Sequence, residues 1–297
     1  MWRSTCLSAA VIALALGLGA CGGTGSADPI AHPSGDALVL RVETTGGLIP
    51  NEARFTAIPG FSLFGDGRVI TTGPVMEIYP GPAVAPVLVR TLSEAGIQAV
   101  LREVAATGLF TADREFKGAE QSIADAGTTV FTLHADGREV RITVYALGML
   151  GTSGATNGIS GDEIGAHRAL TALSARLGSL DSWLTGSSWT DAESHAYRAS
   201  ALRLLVRNAD GDAPDPSGIE NQVLIWPGSA APATFGSPVD AQQGSRCGVV
   251  SGADATAWQA ALAGANQLTR FAANGHRYAV SVRPLLPDEP ATCPVRV

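Results

Sequence analysis

The sequence predicts an α+β protein of mostly antiparallel sheets with helices packed on one face, arranged as two sheet-and-helix modules, with a relation between the two as one reading. Three observations carry this expectation. Asx-Gly pairs stand between runs of alternating apolar and polar residues at Asp66-Gly67, Asp136-Gly137 and Asn274-Gly275, the composition of tight hairpins. Three further stretches repeat apolar residues at helical spacing. A polar, unperiodic segment over residues 186–200 separates one set of these elements from the other.

In chain order, "ALVLRVET" alternates, which places Leu38, Leu40 and Val42 on one face of a strand and Val39, Arg41 and Glu43 on the other. "FSLFGDGRVITTG" supplies the first hairpin and "PGPAVAP" a stiff connection. Ser93 is placed to cap a helix striped by Ile97, Val100, Leu101 and Val104, and Gly108 supplies its left-handed stop. "TTVFTLHADGREVRITVYAL" is the second hairpin, and a second helix carries Ile164, Leu170, Leu173 and Leu177 on its stripe. These elements make an N-terminal module over 37–185.

A linker over 186–200 leads to a second module over 201–297. There "ALRLLVRN" and "NQVLIWP" read as strands, a helix carries Trp258, Ala261, Leu262 and Ala265, and "LTRFAANGHRYAVSVRPL" closes with the third hairpin. The second and third hairpins align with one inserted residue, matching Thr132 to Thr269, Gly137 to Gly275 and Val144 to Val282. Duplication of one module is one reading of this match. The other is that turn and pleat chemistry impose it on any two hairpins.

The apolar run from Leu7 to Ala20 is shorter than the roughly 20 residues needed to span a bilayer, and it follows Arg3 and ends in small residues. Residues 1–20 therefore have the order of an export signal. Leu18-Gly19-Ala20-Cys21 resembles the lipobox of bacterial lipoproteins. That resemblance implies a lipid on the Cys21 thiol, cleavage before Cys21, acylation of its amine by a chain such as palmitate, and an extracytoplasmic protein anchored to a bacterial membrane. Gly22 stands where the family's inner-membrane retention signal has aspartate. Residues 21–36 read as a flexible tether in which His32 is solvated. In "LRVETTGG", "SLFGDGRVI", the segment around Cys247 and "RPLLPDE", the body resembles a group of uncharacterised exported lipoproteins of high-GC bacteria. This second resemblance implies export and supplies no activity.

The chain has 20 basic and 27 acidic residues, a formal charge of −7, so nucleic acid is not expected as a partner. Of the four cysteines, Cys6 leaves with the signal and Cys21 takes the lipid, so Cys247 and Cys293 are expected to form a disulfide. Two free thiols or a metal pair are the alternatives.

No Gly-x-Ser-x-Gly elbow and no His-Glu-x-x-His helix occurs, and no cofactor is expected. His134 and His276 flank hairpin turns and His195 lies in the linker, whereas His167 falls on the apolar stripe of a helix. A core-edge histidine is the expectation there, with a ligand or base as the alternative. Asp210, Asp212 and Asp215 are weak candidates for calcium in a Gly and Pro loop; without the closing bidentate Glu, an exposed turn is expected instead. Arg283, Leu285, Leu286, Asp288 and Glu289 belong to a proline-stiffened segment before Cys293, readable as an interaction loop or as a pinned tail. The functional expectation is a non-catalytic binding or interaction module at the membrane surface. A protease-inhibitor-like protein using that loop and an envelope hydrolase with a dispersed site are the alternatives.

Overall fold

The computed structural model describes residues 28–75, 77–121, 123–150, 158–240 and 244–293. The expected export signal and Cys21 lie outside the described residues. Within them are fourteen strands and four α-helices, and the α+β expectation holds. No helix among the described residues is long and apolar enough to cross a membrane.

The first module contains β1 (Leu38–Gly46), α1 (Asn51–Thr56), β2 (Phe61–Phe64), β3 (Arg68–Thr72), β4 (Val87–Thr91), α2 (Glu94–Ala106), β5 (Arg114–Phe116), β6 (Gly127–Ala135), β7 (Arg138–Tyr145), α3 (Gly161–Leu177) and β8 (His195–Ala196). Its eight strands form one sheet in the order β5-β7-β6-β1-β2-β3-β4-β8, antiparallel except where β5 meets β7. The Ser93 hydroxyl accepts from the Gly96 N–H at the start of α2, and Ser160 accepts from Glu163 at the start of α3, so each helix begins at a residue that satisfies a free N–H. Their stripes, Ile97, Val100, Leu101 and Val104 with Leu170, Leu173 and Leu177, bury against Leu40, Val42, Phe131 and Ile142 of the sheet.

The expected alternation of β1 is broken at its start. The β1–β2 register shifts between Leu38 and Leu40, a bulge that puts Val39 and Leu40 together in the helix-side core and leaves Leu38 with the cluster on the opposite face. At the β2–β3 turn Gly67 has φ +87°, and a Cβ there would stand 2.2 Å from the Leu92 carbonyl oxygen, so both the dihedral and the space require glycine.

Two segments expected to be loose are fixed to this module. Ile30 exchanges two hydrogen bonds of 2.9 Å with the Gln98 amide, and Asp66 N–H donates to the Gly35 carbonyl at 2.9 Å, so residues 30–35 of the expected tether are fixed to the module. His32 is half-buried there, with its Nε2 3.2 Å from Glu94. In the linker, β8 adds to the β4 edge, Thr190 N–H donates to the Thr91 carbonyl, and the Arg90 guanidinium lies 3.8 Å from the Trp189 ring centre. Residues 201–208 begin the other sheet.

That sheet has the order β10-β13-β14-β9-β12-β11, built from β9 (Ala201–Asn208), β10 (Val223–Ile225), β11 (Ser237–Asp240), β12 (Ser245–Ser251), β13 (Arg270–Ala273) and β14 (His276–Pro284). On one face α4 (Gly252–Leu262) inserts Trp258 among Trp226, Phe271, Leu204 and Val282. The Trp226 and Trp258 rings meet edge to face at 4.8 Å, so aromatic side chains supply the bulk of this small core.

The hairpins aligned by sequence do not take equivalent places. In the first sheet the earlier hairpin strand, β6, pairs with β1 and the later one, β7, lies outside it. In the second sheet the later strand, β14, pairs with β9 and the earlier one, β13, lies outside. The likeness therefore reflects shared turn chemistry: both turns carry two residues of positive φ, Asp136-Gly137 and Asn274-Gly275.

Candidate functional site

The two sheets meet through residues distant in sequence. Leu286 packs with Phe64, Ile70 and Val87 of the first sheet, and Tyr197 donates to the Leu285 carbonyl at 2.9 Å. Burial pushes the Tyr197 hydroxyl up to about 12, so it stays a donor. Arg41 grips Asp288 through two bonds of 3.0 and 2.7 Å, a bidentate pair across the boundary. Leu285 and Leu286 are 3% and 2% exposed, which overturns the reading of residues 283–289 as a displayed interaction loop. The segment is pinned because its apolar side chains fill the space between the modules.

Its end is tied by the disulfide. Cys247 and Cys293 are bonded, with Cα atoms 5.9 Å apart. Against them and Leu205 packs Phe55, from the short helix α1 in the excursion between β1 and β2. The helix lies on the face of the second sheet opposite α4 and divides it into two clefts.

The smaller cleft, about 300 Å³, is lined from α1 by Glu52, Ala53 and Thr56 and from the sheet by residues including Arg207, Arg270 and Ser281. Both arginines pair with Asp212, at 2.5 and 3.2 Å. The larger, about 510 Å³, is enclosed by Glu43, Thr44, Thr45 and Gly46 at the end of β1, by Ile49, Asn51, Arg54, Phe55, Ala57, Ile58 and Pro59, and by Arg203 and Arg283. Arg203 and Arg283 are directly opposed on neighbouring strands. Arg283 donates to the Ala57 carbonyl at 2.8 Å and to Glu289 at 2.5 Å. Arg203 donates to the Thr292 carbonyl at 2.8 Å and to Pro290 at 3.4 Å, and it pairs with no carboxylate among the described residues. Burial, and next the Arg283 charge, lower its pKa, with Glu289 opposing them.

The three aspartates weighed for calcium each have their own partner, and among the described residues no three acidic, His or Cys side chains are grouped to hold a metal. Asp210 accepts from the Arg277 N–H at 2.8 Å and from His276 at 2.7 Å, which hold its carboxyl at about 2. Asp212 is held low first by its hydrogen bond from Arg207, and Asp215 first by Ser217. These contacts cross-link the loop.

His167 is 2% exposed on α3, with no hydrogen-bond partner for either ring nitrogen among the described residues, Glu163 3.9 Å from Nε2 and the Phe116 ring edge-on. Burial lowers its pKa against the opposing Glu163 charge. Neither inter-module cleft contains a histidine. The histidine–carboxylate contacts elsewhere, His32 with Glu94 and His276 with Asp210, have no hydroxyl or thiol on the other ring nitrogen among the described residues. Two other concave surfaces carry histidine, one lined by His32, His134 and Glu139 and one by His167 and Thr171.

Of the larger cleft's charged residues, sequence reasoning singled out Arg283 alone, as part of a loop. Arg203 carried a usable signal, an arginine alternating with apolar residues on β9; its place directly opposite Arg283 carried none. Comparison with protein-family models, curated proteins and solved structures finds no match to this chain.

Proposed function

We propose that the protein is an envelope lipoprotein, held to a bacterial membrane by lipid on Cys21, that acts without catalysis by binding a small molecule in the larger cleft between its modules. One observation carries the binding part of this reading: a cleft of about 510 Å³, within the size range of small-molecule sites, has on its floor a partly buried arginine with no carboxylate partner among the described residues. The anchor part rests on the lipobox residues Leu18, Gly19, Ala20 and Cys21.

Both parts are testable on the exported protein. Ala57 is exposed and lines the cleft, so Ala57→Trp fills it with little cost to the fold. Native mass spectrometry should find a small molecule on the wild type that is missing from Ala57→Trp; its retention by the variant would remove the cleft from the argument. Labelling cells with an alkyne fatty acid should mark the wild type and not Cys21→Ser.

A further inference from the structure

We infer that the larger cleft is built for an amphiphilic monoanion, a carboxylate carrying an apolar chain; this rests on the reading of that cleft as the binding site. Like charges directly opposed across two strands destabilise a sheet, and partial burial adds to that. Glu289 bonds Arg283 directly and reaches Arg203 only through its field, so the direct partners of Arg203 among the described residues are carbonyl oxygens. Two of its five N–H donors are used, which leaves three without an acceptor among the described residues.

Charge sets the valence of the ligand. Arg54, Arg203 and Arg283 face Glu43 on the cleft wall and Glu289 beside Arg283, a local excess of one positive charge in a chain whose formal charge is −7. A singly charged head group balances it, and a phosphate monoester dianion exceeds it. The free edge of a guanidinium matches both oxygens of a carboxylate. The apolar part of the ligand follows from Ile49, Phe55, Ile58 and Pro59 in the same lining. Ile49 is 41% exposed and Leu48 beside it 85%, side chains that an alkyl chain at the mouth would shield.

The test uses the chain from Gly22 to Val297, which keeps every described residue, with sodium decanoate, decanol, decyl phosphate and inorganic phosphate as titrants in calorimetry. Decanoate is expected to bind one to one, at least tenfold tighter than decanol or decyl phosphate. Arg203→Gln should weaken decanoate at least tenfold, while Arg102→Gln, at an exposed site on α2, leaves it unchanged. Ile49→Asp, at a surface position that does not threaten folding, should weaken decanoate likewise. Undiminished decanoate binding in both cleft variants overturns the inference. If phosphate or decyl phosphate binds instead, in an Arg203-dependent way, the monoanion is wrong and the binding cleft stands. If none of the four titrants gives Arg203-dependent heat, this inference falls, and the mass-spectrometric comparison with Ala57→Trp separately decides the binding reading.

Discussion

Leu286→Ala separates a displayed loop from a buried tie between modules. Leu286 is 2% exposed and packs against Phe64, Ile70 and Val87 of the first sheet, although the chain reaches it from the last strand of the second. The substitution removes three buried carbons, about 2.4 kcal/mol at about 0.8 kcal/mol each. The cavity left behind adds to this, because three flanking side chains from a hydrogen-bonded sheet relax only partly, so the expected loss is about 3 kcal/mol or more. Urea unfolding followed by tryptophan fluorescence measures it, since Trp183 and Trp189 report on the first module and Trp226 and Trp258 on the second. Leu286→Met keeps the volume and should lose less than about 1.5 kcal/mol. A loss below about 0.5 kcal/mol for Leu286→Ala is the result for an exposed loop, and it would refute the packing described here.

Two further outcomes follow. His167 is buried with its pKa below the 6.5 of the free side chain, so the unfolded chain takes up this proton first. Stability should be full above about pH 6.5 and fall as pH drops toward the lower folded value, and His167→Leu should flatten that slope in urea midpoints taken from about pH 8 to about pH 5. Replacing Cys247 and Cys293 together by serine opens a loop with a sequence separation of 46 and should cost about 4 kcal/mol, read in the same unfolding assay; an unchanged midpoint would mean that the bridge does not constrain the unfolded chain.

The parts of this fold legible in sequence are those whose cause is local. Asp136-Gly137, Asn274-Gly275, Ser93 and the stripe of α2 act within a few residues, and each sits where its chemistry requires. The missing elements obey distant causes. β12 contains Gly248, a poor strand residue by propensity, because a Cβ there would come within 2.6 Å of the Phe235 ring, which covers the strand. α1 is six residues long, below the length at which a helical period can be read, and it is held by Phe55 on the disulfide. The hairpin match failed as evidence of duplication because turn chemistry says nothing of which hairpin strand lies inside. The cleft was illegible for the same reason: Arg203 and Arg283 become neighbours only through the β9–β14 register.

That register also bears on whether the cleft is a site or a packing defect. A defect between two modules needs no particular charge, and this chain has seven more acidic than basic residues with which to neutralise an arginine. It does so at several arginines: Asp288 meets Arg41, Asp181 meets Arg90, Glu103 meets Arg176, and Asp212 serves Arg207 and Arg270 together. Arg246 is held by carbonyl oxygens as Arg203 is, but it stands opposite Pro238 and Val206 and not opposite a like charge. Arg203 is half-buried, opposed by a like charge, and held by carbonyls of a segment whose next residue after Thr292 is the disulfide-bonded Cys293. A group fixed in that state carries a standing electrostatic cost, and packing does not require it, because an apolar side chain on β9 would cover the same strand. The cost is offset when an anion occupies the cleft, and the fixed carbonyls mean that the guanidinium need not reorganise to receive it.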